Sequence, residues 1–407
     1  MRGEAAMSAA PALSPARHAD ASGTALDVVV LGGGIAGAAA AIELARAGRR
    51  VAVVEKTEQA HDKVCGDFLS AEAIADLRGL GIDAAGLGAV ALNRVRLAGG
   101  LGVREARLPF AALSLTRRRL DEAMLGRAAE AGALVLRGRS AESLTRRPDG
   151  WSVEVAGPSR SYALAASDVV LATGKHDLRG VARPEGVQSD LVAFKMYFRL
   201  AEEQAEKLRG AVELALFGDG YAGLQPVEDD AANLCCVVRK SRLRALGGGW
   251  EPLLAAMLRD NAHLRRRLWG AEPLLGRALA VSSIPYGFVR CEAVGEGLWA
   301  VGDQAAVIPS FTGDGMSLAL HSGRLAARML CGGESALDYQ RCLHAQVKRQ
   351  VSLATVLSRG LVMWPQRAVL ESAAWIWPGA LRVVAAGTRL AAKHRISVAE
   401  ESACVAG

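Results

Sequence analysis

The sequence predicts an α/β fold in which a glycine-rich βαβ unit is interleaved with a second, mixed antiparallel sheet and followed by C-terminal helices. Three observations carry this. Residues 26–56 read strand, glycine loop, helix and strand in register. Further buried strands appear near 134, 167 and 298, so the first unit is assembled from distant parts of the chain. Between them lie alternating segments bounded by turn residues, the pattern of antiparallel hairpins.

Leu26 to Leu31 is an apolar run suited to a strand buried on both faces. Gly32, Gly34 and Gly37 follow as G-x-G-x-x-G, and a helix is expected from about Ile35 to Ala47, stopping at Gly48. Val51 to Val54 forms the next strand and ends in Glu55, with Lys56 beside it. Gly32 makes the tight turn, Gly34 lets a pyrophosphate approach the backbone, and Gly37 lets helix and strand pack closely. The helix N-terminus, with Ile35 and Ala36, offers free N–H groups and a favourable dipole to an anion. Glu55 can accept hydrogen bonds from both hydroxyls of an adenosine ribose and repels a 2′-phosphate. The unit is therefore Rossmann-like and dinucleotide-binding, not for NADP. It does not by itself choose between FAD and NAD.

Beyond Glu55, Gly66 next to Cys65 marks a loop that passes close to something flat, before a helix starting near Ser70. Residues 91–108 alternate around Gly99-Gly100 and predict a hairpin of the second sheet. Thr116 opens a helix to about Ala131, and 132–136 is a third core strand. Residues 150–164 form another hairpin, and Ser167 to Leu171 a buried strand ending in Ala172-Thr173-Gly174. Segments 188–240 and 276–290 read as strands of the second sheet, separated by an amphipathic helix from Trp250 to Trp269. Gly297 to Asp303 returns to the first unit, Gly313-Asp314-Gly315-Met316 opens a helix to about Leu330, and 335–396 is helical.

Composition narrows the function. With 51% hydrophobic and 22% charged residues, the 407-residue chain is globular and long enough for two domains. The net charge of +7 is scattered and only 5% of residues are aromatic, which argues against nucleic-acid binding. Seven cysteines without C-x-x-C, and histidines without H-x-x-x-H, predict no disulfide framework and no metal site. They fit a reducing cytoplasm, the expected location. Residues 1–24 read as a disordered leader, with Met7 an alternative start. No apolar run reaches the ~18 residues of a membrane span.

The glutamate-ended βαβ unit, Ala172-Thr173-Gly174, and Gly302-Asp303 with Pro309 and Gly313 to Met316 occur in one characteristic order. Over residues 26–330 the chain resembles the p-hydroxybenzoate hydroxylase-like FAD-dependent oxidoreductases. Lys63-Val64-Cys65-Gly66-Asp67 and Gly220 to Pro226 resemble the geranylgeranyl reductase branch, and flavin monooxygenases associated with polyketide synthases look similar. The resemblance implies an FAD-binding domain of the glutathione reductase type from 25–90, 110–180 and 280–335. It implies a substrate domain from 91–109 and 181–279, with 336–407 as a C-terminal helical segment. It implies that Glu55 binds the adenosine ribose, that Arg117 lies along the cofactor and that Asp303 takes the ribityl or pyrophosphate oxygens. Gly313 to Met316 are expected to present a helix N-terminus to the flavin. Cys65 and Gly66 are expected at the isoalloxazine ring, with Cys65 and Tyr221 as the candidate catalytic proton donors.

The departures from that pattern matter. Hydroxylases often carry Asp where this chain has Thr173, so NAD(P)H as direct electron donor stays open, beside a donor protein. Ser282-Ser283-Ile284-Pro285 lacks the two tryptophans of flavin halogenases, which argues against halogenation. Gly223 and Gln225 stand where the reductase branch tends to be aromatic, so the substrate cavity is reshaped. Phe194, Met196, Phe198, Tyr221 and Phe311 are the candidate pocket-side residues. The expected function is an FAD-dependent monooxygenase that hydroxylates an aromatic or polyketide-like apolar substrate through a flavin hydroperoxide. The alternatives are a flavin-dependent reductase of isoprenoid double bonds and a non-catalytic, electron-carrying flavoprotein. In the tail, Trp364, Trp375 and Trp377 among basic residues such as Arg382, Lys393 and Arg395 suit a membrane interface, while packing on the FAD domain is the alternative reading of the same residues.

Overall fold

A computed structural model describes residues 26–157, 160–363, 366–377 and 379–389. The expected leader, Trp364, Lys393 and Arg395 lie outside the described residues.

The chain opens with β1 (Leu26–Leu31), α1 (Ile35–Arg46) and β2 (Val51–Glu55), close to the expected bounds. β3 (Phe68–Leu69) and α2 (Ala71–Gly79) follow, and Ser70 caps α2 by accepting the Ala73 N–H. β4 (Val90–Gly99) and β5 (Gly102–Ser114) form the first hairpin, and α3 (Arg117–Glu130) is capped by Thr116. β6 (Leu134–Arg137), β7 (Ser140–Arg147), β8 (Gly150–Ala156) and β9 (Tyr162–Leu171) come next.

The second half begins with β10 (Leu191–Arg199), α4 (Glu202–Leu208), β11 (Ala211–Phe217), β12 (Gly220–Pro226) and β13 (Ala232–Arg239). It continues with α5 (Lys240–Ala245), α6 (Trp250–Asp260), α7 (Ala262–Arg267), β14 (Glu272–Pro273), β15 (Leu279–Ser282) and β16 (Leu298–Ala300). Among the described residues, four helices follow: α8 (Gly315–Cys331), α9 (Ala336–Val362), α10 (Gln366–Ile376) and α11 (Gly379–Gly387).

One sheet has the order β6-β2-β1-β9-β8-β7, with β16 also on β9. β6, β2, β1, β9 and β16 are parallel, and β7–β8–β9 form an antiparallel meander. The other sheet runs β14-β10-β13-β12-β11-β4-β5-β3, with β15 on β10 and a parallel β11–β4 pair. The α/β class with two interleaved mixed sheets stands as expected.

Three local expectations change. β9 is a single strand with three partners: along one edge its first half pairs with β8 and its apolar second half with β16, while the other edge of the second half pairs with β1. β7 was not anticipated, because its sequence SAESLTRR is a mostly exposed edge strand without an apolar period. The helix expected from Trp250 to Trp269 breaks at Asn261. That residue caps α7 through its Oδ1 at 2.9 Å from the Leu264 N–H, and its Nδ2 donates to Ala98 O and Leu216 O.

The packing follows strand parity. On the outer face of the second sheet Phe194, Met196 and Phe198 join Ala222, Leu224 and Cys236 under α6, with the Phe194 and Trp250 rings 6.0 Å apart. On its inner face Leu191, Ala193, Tyr221 and Val237 meet α9 and the segment around Val307 and Phe311. Side chains two apart share a face. The inner face is therefore the one that looks at the glycine-rich unit.

Candidate functional site

The glycine loop is built as its spacing demands. Gly32 has φ +108°, and a Cβ there would lie 2.4 Å from Ala172 O; a Cβ on Gly37 would lie 2.0 Å from Gly32 O. Gly34 is different, since no side chain caps α1 there. A Cβ on Gly34 would meet only Arg117 Nη2 at 3.6 Å and Lys63 Nζ at 3.7 Å. An open helix N-terminus under two cations is an anion cradle. Both cations are held by Asp121, which accepts from Lys63 Nζ at 2.7 Å and from Arg117 Nε at 2.7 Å and Nη2 at 2.8 Å. Lys63 and Asp121 were not predicted as site residues, because Lys63 reaches Gly34 from a loop of no regular pattern.

Glu55 ends β2 as a buried carboxylate. Its Oε2 accepts the Gly33 N–H at 2.8 Å, and its Oε1 accepts the Thr57 hydroxyl at 2.7 Å. Burial pulls this carboxyl up, but Thr57, Lys63 and the Gly33 N–H outweigh it, so it stays below its ordinary value and ionised. A cleft lined by Gly33, Glu55, Thr57, His61, Lys63 and Arg137 continues from it. Lys56 is exposed.

The far end of the site comes from residues about 270 positions later in the chain. Gly302, at φ +58°, brings the turn after β16 onto Ala36, whose Cβ would be 2.9 Å from a Cβ at Gly302. Asp303 is half-buried beside it, and its carboxylate has no hydrogen-bond or ion-pair partner among the described residues. Ala172 is buried at the end of β9, Thr173 donates to His176 O at 2.6 Å, and Gly174 O accepts from Gln304 at 2.8 Å. Pro309 O accepts the Thr312 hydroxyl at 2.9 Å. Gly313 has φ +72°, and a Cβ there would strike the Phe68 ring at 2.5 Å.

Asp314, between Gly313 and the first turn of α8 with Gly315 and Met316, sends its side chain the other way. It pairs with Arg389 just beyond α11, whose Nη2 also donates to Thr312 O at 3.1 Å. Burial pushes the Asp314 carboxyl up to about 7 despite Arg389. The first turn of α8 is thus tied to Arg389, two residues beyond α11.

The loop 63–67 lies between the two sheets. Cys65 is half-buried, its Sγ accepts the Asp67 N–H at 3.4 Å, and its carbonyl accepts from Asn233 Nδ2 at 3.0 Å. A Cβ on Gly66 would meet nothing within 4 Å, so the loop has an open side. Opposite, Leu97, Leu214, Gly223, Cys235 and Lys195 stand in one row across the inner face. Gly223 and Cys235 are only partly buried although mid-sheet. Tyr221 sits one row away, fully buried, with its hydroxyl 3.1 Å from Ser310 Oγ and its ring edge-on to Phe311. Burial pushes its pKa to about 12, so it stays protonated. Of the expected pocket-side residues, Tyr221 and Phe311 face this region. Phe194, Met196 and Phe198 do not, since their parity puts them on the outer face.

These features fit a dinucleotide whose pyrophosphate lies at Gly34, whose ribose lies at Glu55 and whose other half lies toward Asp303. A family profile described as FAD dependent oxidoreductase matches residues 27–64. Over that unit the chain resembles the FAD-dependent oxidoreductases. It is 27% identical over 330 residues to a menaquinone reductase of Mycolicibacterium smegmatis, covering 78% of each chain. It is also 27% identical over 344 residues to a digeranylgeranylglycerophospholipid reductase of Methanosphaera stadtmanae, covering 80% of this chain and 82% of that one. A 12-dehydrotetracycline 5-monooxygenase/anhydrotetracycline 6-monooxygenase of Streptomyces rimosus is 35% identical over 156 residues, covering 35% of this chain and 30% of that one. Among solved structures, a flavin-dependent brominase superimposes with a TM-score of 0.76 at 18% identity, covering 94% and 98% of the two chains. At that identity the likeness is one of fold. Among the described residues no helix is long and apolar enough to cross a membrane, and no cluster is suited to a metal ion.

Proposed function

We propose that this FAD-dependent enzyme reduces a carbon–carbon double bond in an apolar, isoprenoid-bearing substrate. The observation that carries the reading is the open side of Gly66 on a loop that Asn233 ties, through Cys65 O at 3.0 Å, to the sheet whose inner row is Leu97, Leu214, Gly223, Cys235 and Lys195. Apart from Lys195, which is tied to Asp67, that row is apolar, and Cys65 brings a thiol to the loop beside it. The reductase relatives support it, because they align with about four-fifths of the chain and so include the second sheet. The names of those relatives point to substrates with isoprenoid chains. The match to the tetracycline monooxygenase covers about a third of the chain, so hydroxylation becomes the second reading.

FAD held there, once reduced by NAD(P)H or by a donor protein, would supply the hydride for one alkene carbon. The chain's residues do the rest. The start of α1, Arg117 and Lys63 hold the diphosphate, and Glu55 and Asp303 hold the hydroxyls on either side of it. Leu97, Leu214 and Val64 keep water out, which protects a hydride transfer from side reactions. The Cys65 thiol gives its proton to the second alkene carbon and regains one from solvent afterwards. Tyr221 stays protonated and holds Ser310 in the adjoining loop.

The test is anaerobic single turnover of the dithionite-reduced protein with a geranylgeranyl lipid or menaquinone, read by mass spectrometry. The expected product has gained two hydrogens, and Cys65→Ala loses that product while keeping FAD. A hydroxylated product formed only with oxygen would instead favour the monooxygenase.

We also propose that the C-terminal helices touch a lipid surface. α10 docks on the β4–β5 hairpin through Glu371, which accepts the Gly100 N–H at 3.0 Å, and Trp375, stacked under Arg104 at 3.3 Å. Val369, Ile376, Trp377 and Val383 are left on the outside, where Ile376 is 81% exposed.

A further inference from the structure

Six strands of the second sheet each put one residue into a single row on its inner face. The register pairs Lys195 with Cys235, Cys235 with Gly223, Gly223 with Leu214, Leu214 with Leu97 and Leu97 with Arg104. The row thus crosses from β10 over β13, β12, β11 and β4 to β5. Its charges stand only at the ends. Lys195 donates to Asp67 Oδ2 at 2.6 Å, and the Arg104 guanidinium lies 3.3 Å from the centre of the Trp375 ring on α10. At about 4.8 Å per strand, the four steps from Cys235 to Arg104 make about 19 Å.

The rows on either side are covered. On one side Ala193, Val237, Tyr221 and Leu216 are buried, packed with α9 and Val307. On the other, Tyr197, Asn233 and Gln225 are buried and donate to Asp67, Cys65 O and Ser114. The middle row differs. Cys235, Gly223, Leu214 and Leu97 are each only partly buried, although they lie inside a nine-stranded sheet. A Cβ on Gly223 would meet only Cys235 O, at 3.8 Å, and its φ is not left-handed, so the backbone does not call for glycine there. A glycine in a strand interior gives up packing and often marks a place where another group approaches closely.

The two ends of this groove are marked. Asn233, two residues from Cys235 and on the same face, donates to Cys65 O at 3.0 Å, so one end adjoins the Cys65 loop. The other end adjoins α10, where Trp375 covers Arg104 and Glu371 accepts the Gly100 N–H at 3.0 Å. The same helix carries the outward Val369, Ile376 and Trp377.

We propose that this row is the floor of a groove for one linear isoprenoid chain, and that Gly223 sets the length of chain the enzyme accepts. The chain enters beside Arg104 and α10, runs over Leu97, Leu214 and Gly223, and brings its reacting double bond to Cys65. The shape selects the occupant. A groove one row wide and four strand spacings long, with charge only at its ends, suits an extended chain and not a fused-ring system. Its mouth also adjoins the strip proposed to touch lipid, where such chains reside. The delivery of a double bond to Cys65 rests on the reductase reading; the seating of the chain does not.

The test uses the full-length holoprotein with oxidised flavin. Fully saturated prenyl alcohols of two, three and four isoprene units are delivered from cyclodextrin. A saturated chain cannot be reduced, so binding is read apart from the reaction, by flavin absorbance and by tryptophan fluorescence. Wild type is expected to bind each longer chain more tightly, on the order of tenfold per added unit, because every methylene taken from water adds to the affinity. Gly223→Leu fills the middle of the row. It should keep its FAD and hold the two-unit chain within about threefold, while its affinity for the four-unit chain falls by about tenfold or more. Leu97→Trp, near the mouth, should weaken all three chains. Wild-type binding that does not rise with length would overturn the proposal, as would a Gly223→Leu variant that loses short and long chains equally or keeps both. Leu97→Trp decides it independently of how well Gly223→Leu folds, since unchanged binding of the four-unit chain there would also overturn it. Failure of the reductase reading looks different: the length-dependent binding would stand, and the unsaturated four-unit chain would gain no hydrogen from the dithionite-reduced protein.

Discussion

The Glu55 carboxylate accepts the N–H of Gly33 at 2.8 Å, so the acid that ends the second strand is bonded to the glycine loop that opens the first helix. Removing it unpairs Gly33 and Thr57 and takes away the ribose acceptor. Glu55→Ala is expected to weaken FAD binding by tenfold or more, from hydrogen bonds to a charged group worth about 1.5–3 kcal/mol. Fluorescence titration of the apoprotein measures this. FMN, which lacks the adenosine, should bind the variant and the wild type alike; an equal loss for FMN would move Glu55 away from the ribose.

Much of this was legible because two periods are strong in the sequence. The continuous apolar runs of β1, β2 and the end of β9 announce a parallel sheet, and the glycine spacing announces the pyrophosphate cradle. The site's other half was less legible for physical reasons. β10 is buried on both faces, so its alternation carried no sign of which side met the flavin region, and Phe194, Met196 and Phe198 were placed on the wrong one. The Asp67–Lys195 pair spans 128 positions and Asp314–Arg389 spans 75, and no local pattern encodes either. Asp67 did stand in a quoted motif, but nothing in a string shows that a carboxylate will be buried.

Glu213 on β11 is the clearest stability centre. Buried, it accepts from Arg96 Nη1 at 2.8 Å, Arg267 Nη2 at 3.0 Å and His263 Nε2 at 2.8 Å, tying α7 to β4 and β11. Burial would raise its pKa, but His263, Arg267 and Arg96 together bring it down to about 2. Its folded value is depressed, so its contribution is present above the ordinary carboxylate range and is lost as pH falls through about 2. Glu213→Gln leaves the buried Arg267 guanidinium without a carboxylate, while Arg96 keeps Glu105, and should cost roughly 3–5 kcal/mol at neutral pH. Urea unfolding followed by circular dichroism checks it. A cost below about 1 kcal/mol, the range of surface pairs, would show the cluster to be solvated.

Asp314 gives the opposite sign. Its folded pKa of about 7 is raised, so its contribution is full below the unfolded value and disappears as pH climbs through about 7. Asp314→Asn should therefore gain on the wild type between about pH 4, the ordinary carboxylate value, and pH 7. The gain should level off above that. Urea midpoints of both proteins across the range read it directly. A constant difference at every pH would mean that Arg389 keeps Asp314 ionised throughout.

The proposed lipid contact of the C-terminal helices can be tested on the outward strip of α10. α10 buries its polar and stacked contacts against the β4–β5 hairpin and turns Val369, Ile376 and Trp377 outward, with exposures of 67%, 81% and 58%. Leaving such groups in water forfeits about 25 cal/mol for each Å² of apolar area that a bilayer interface could cover. Arg382 stands among them, exposed, and suits anionic headgroups near the surface. The strip is also joined to the site, because Arg389 just beyond α11 holds Asp314 at the start of α8. The expected result is flotation of the wild-type protein with vesicles containing anionic phospholipid. Val369→Ser, Ile376→Ser and Trp377→Ser combined should abolish flotation without changing the circular dichroism spectrum or FAD content, since none of the three side chains is buried. Equal flotation of wild type and triple variant, or none by either, would leave the strip as a packing surface for another part of the chain.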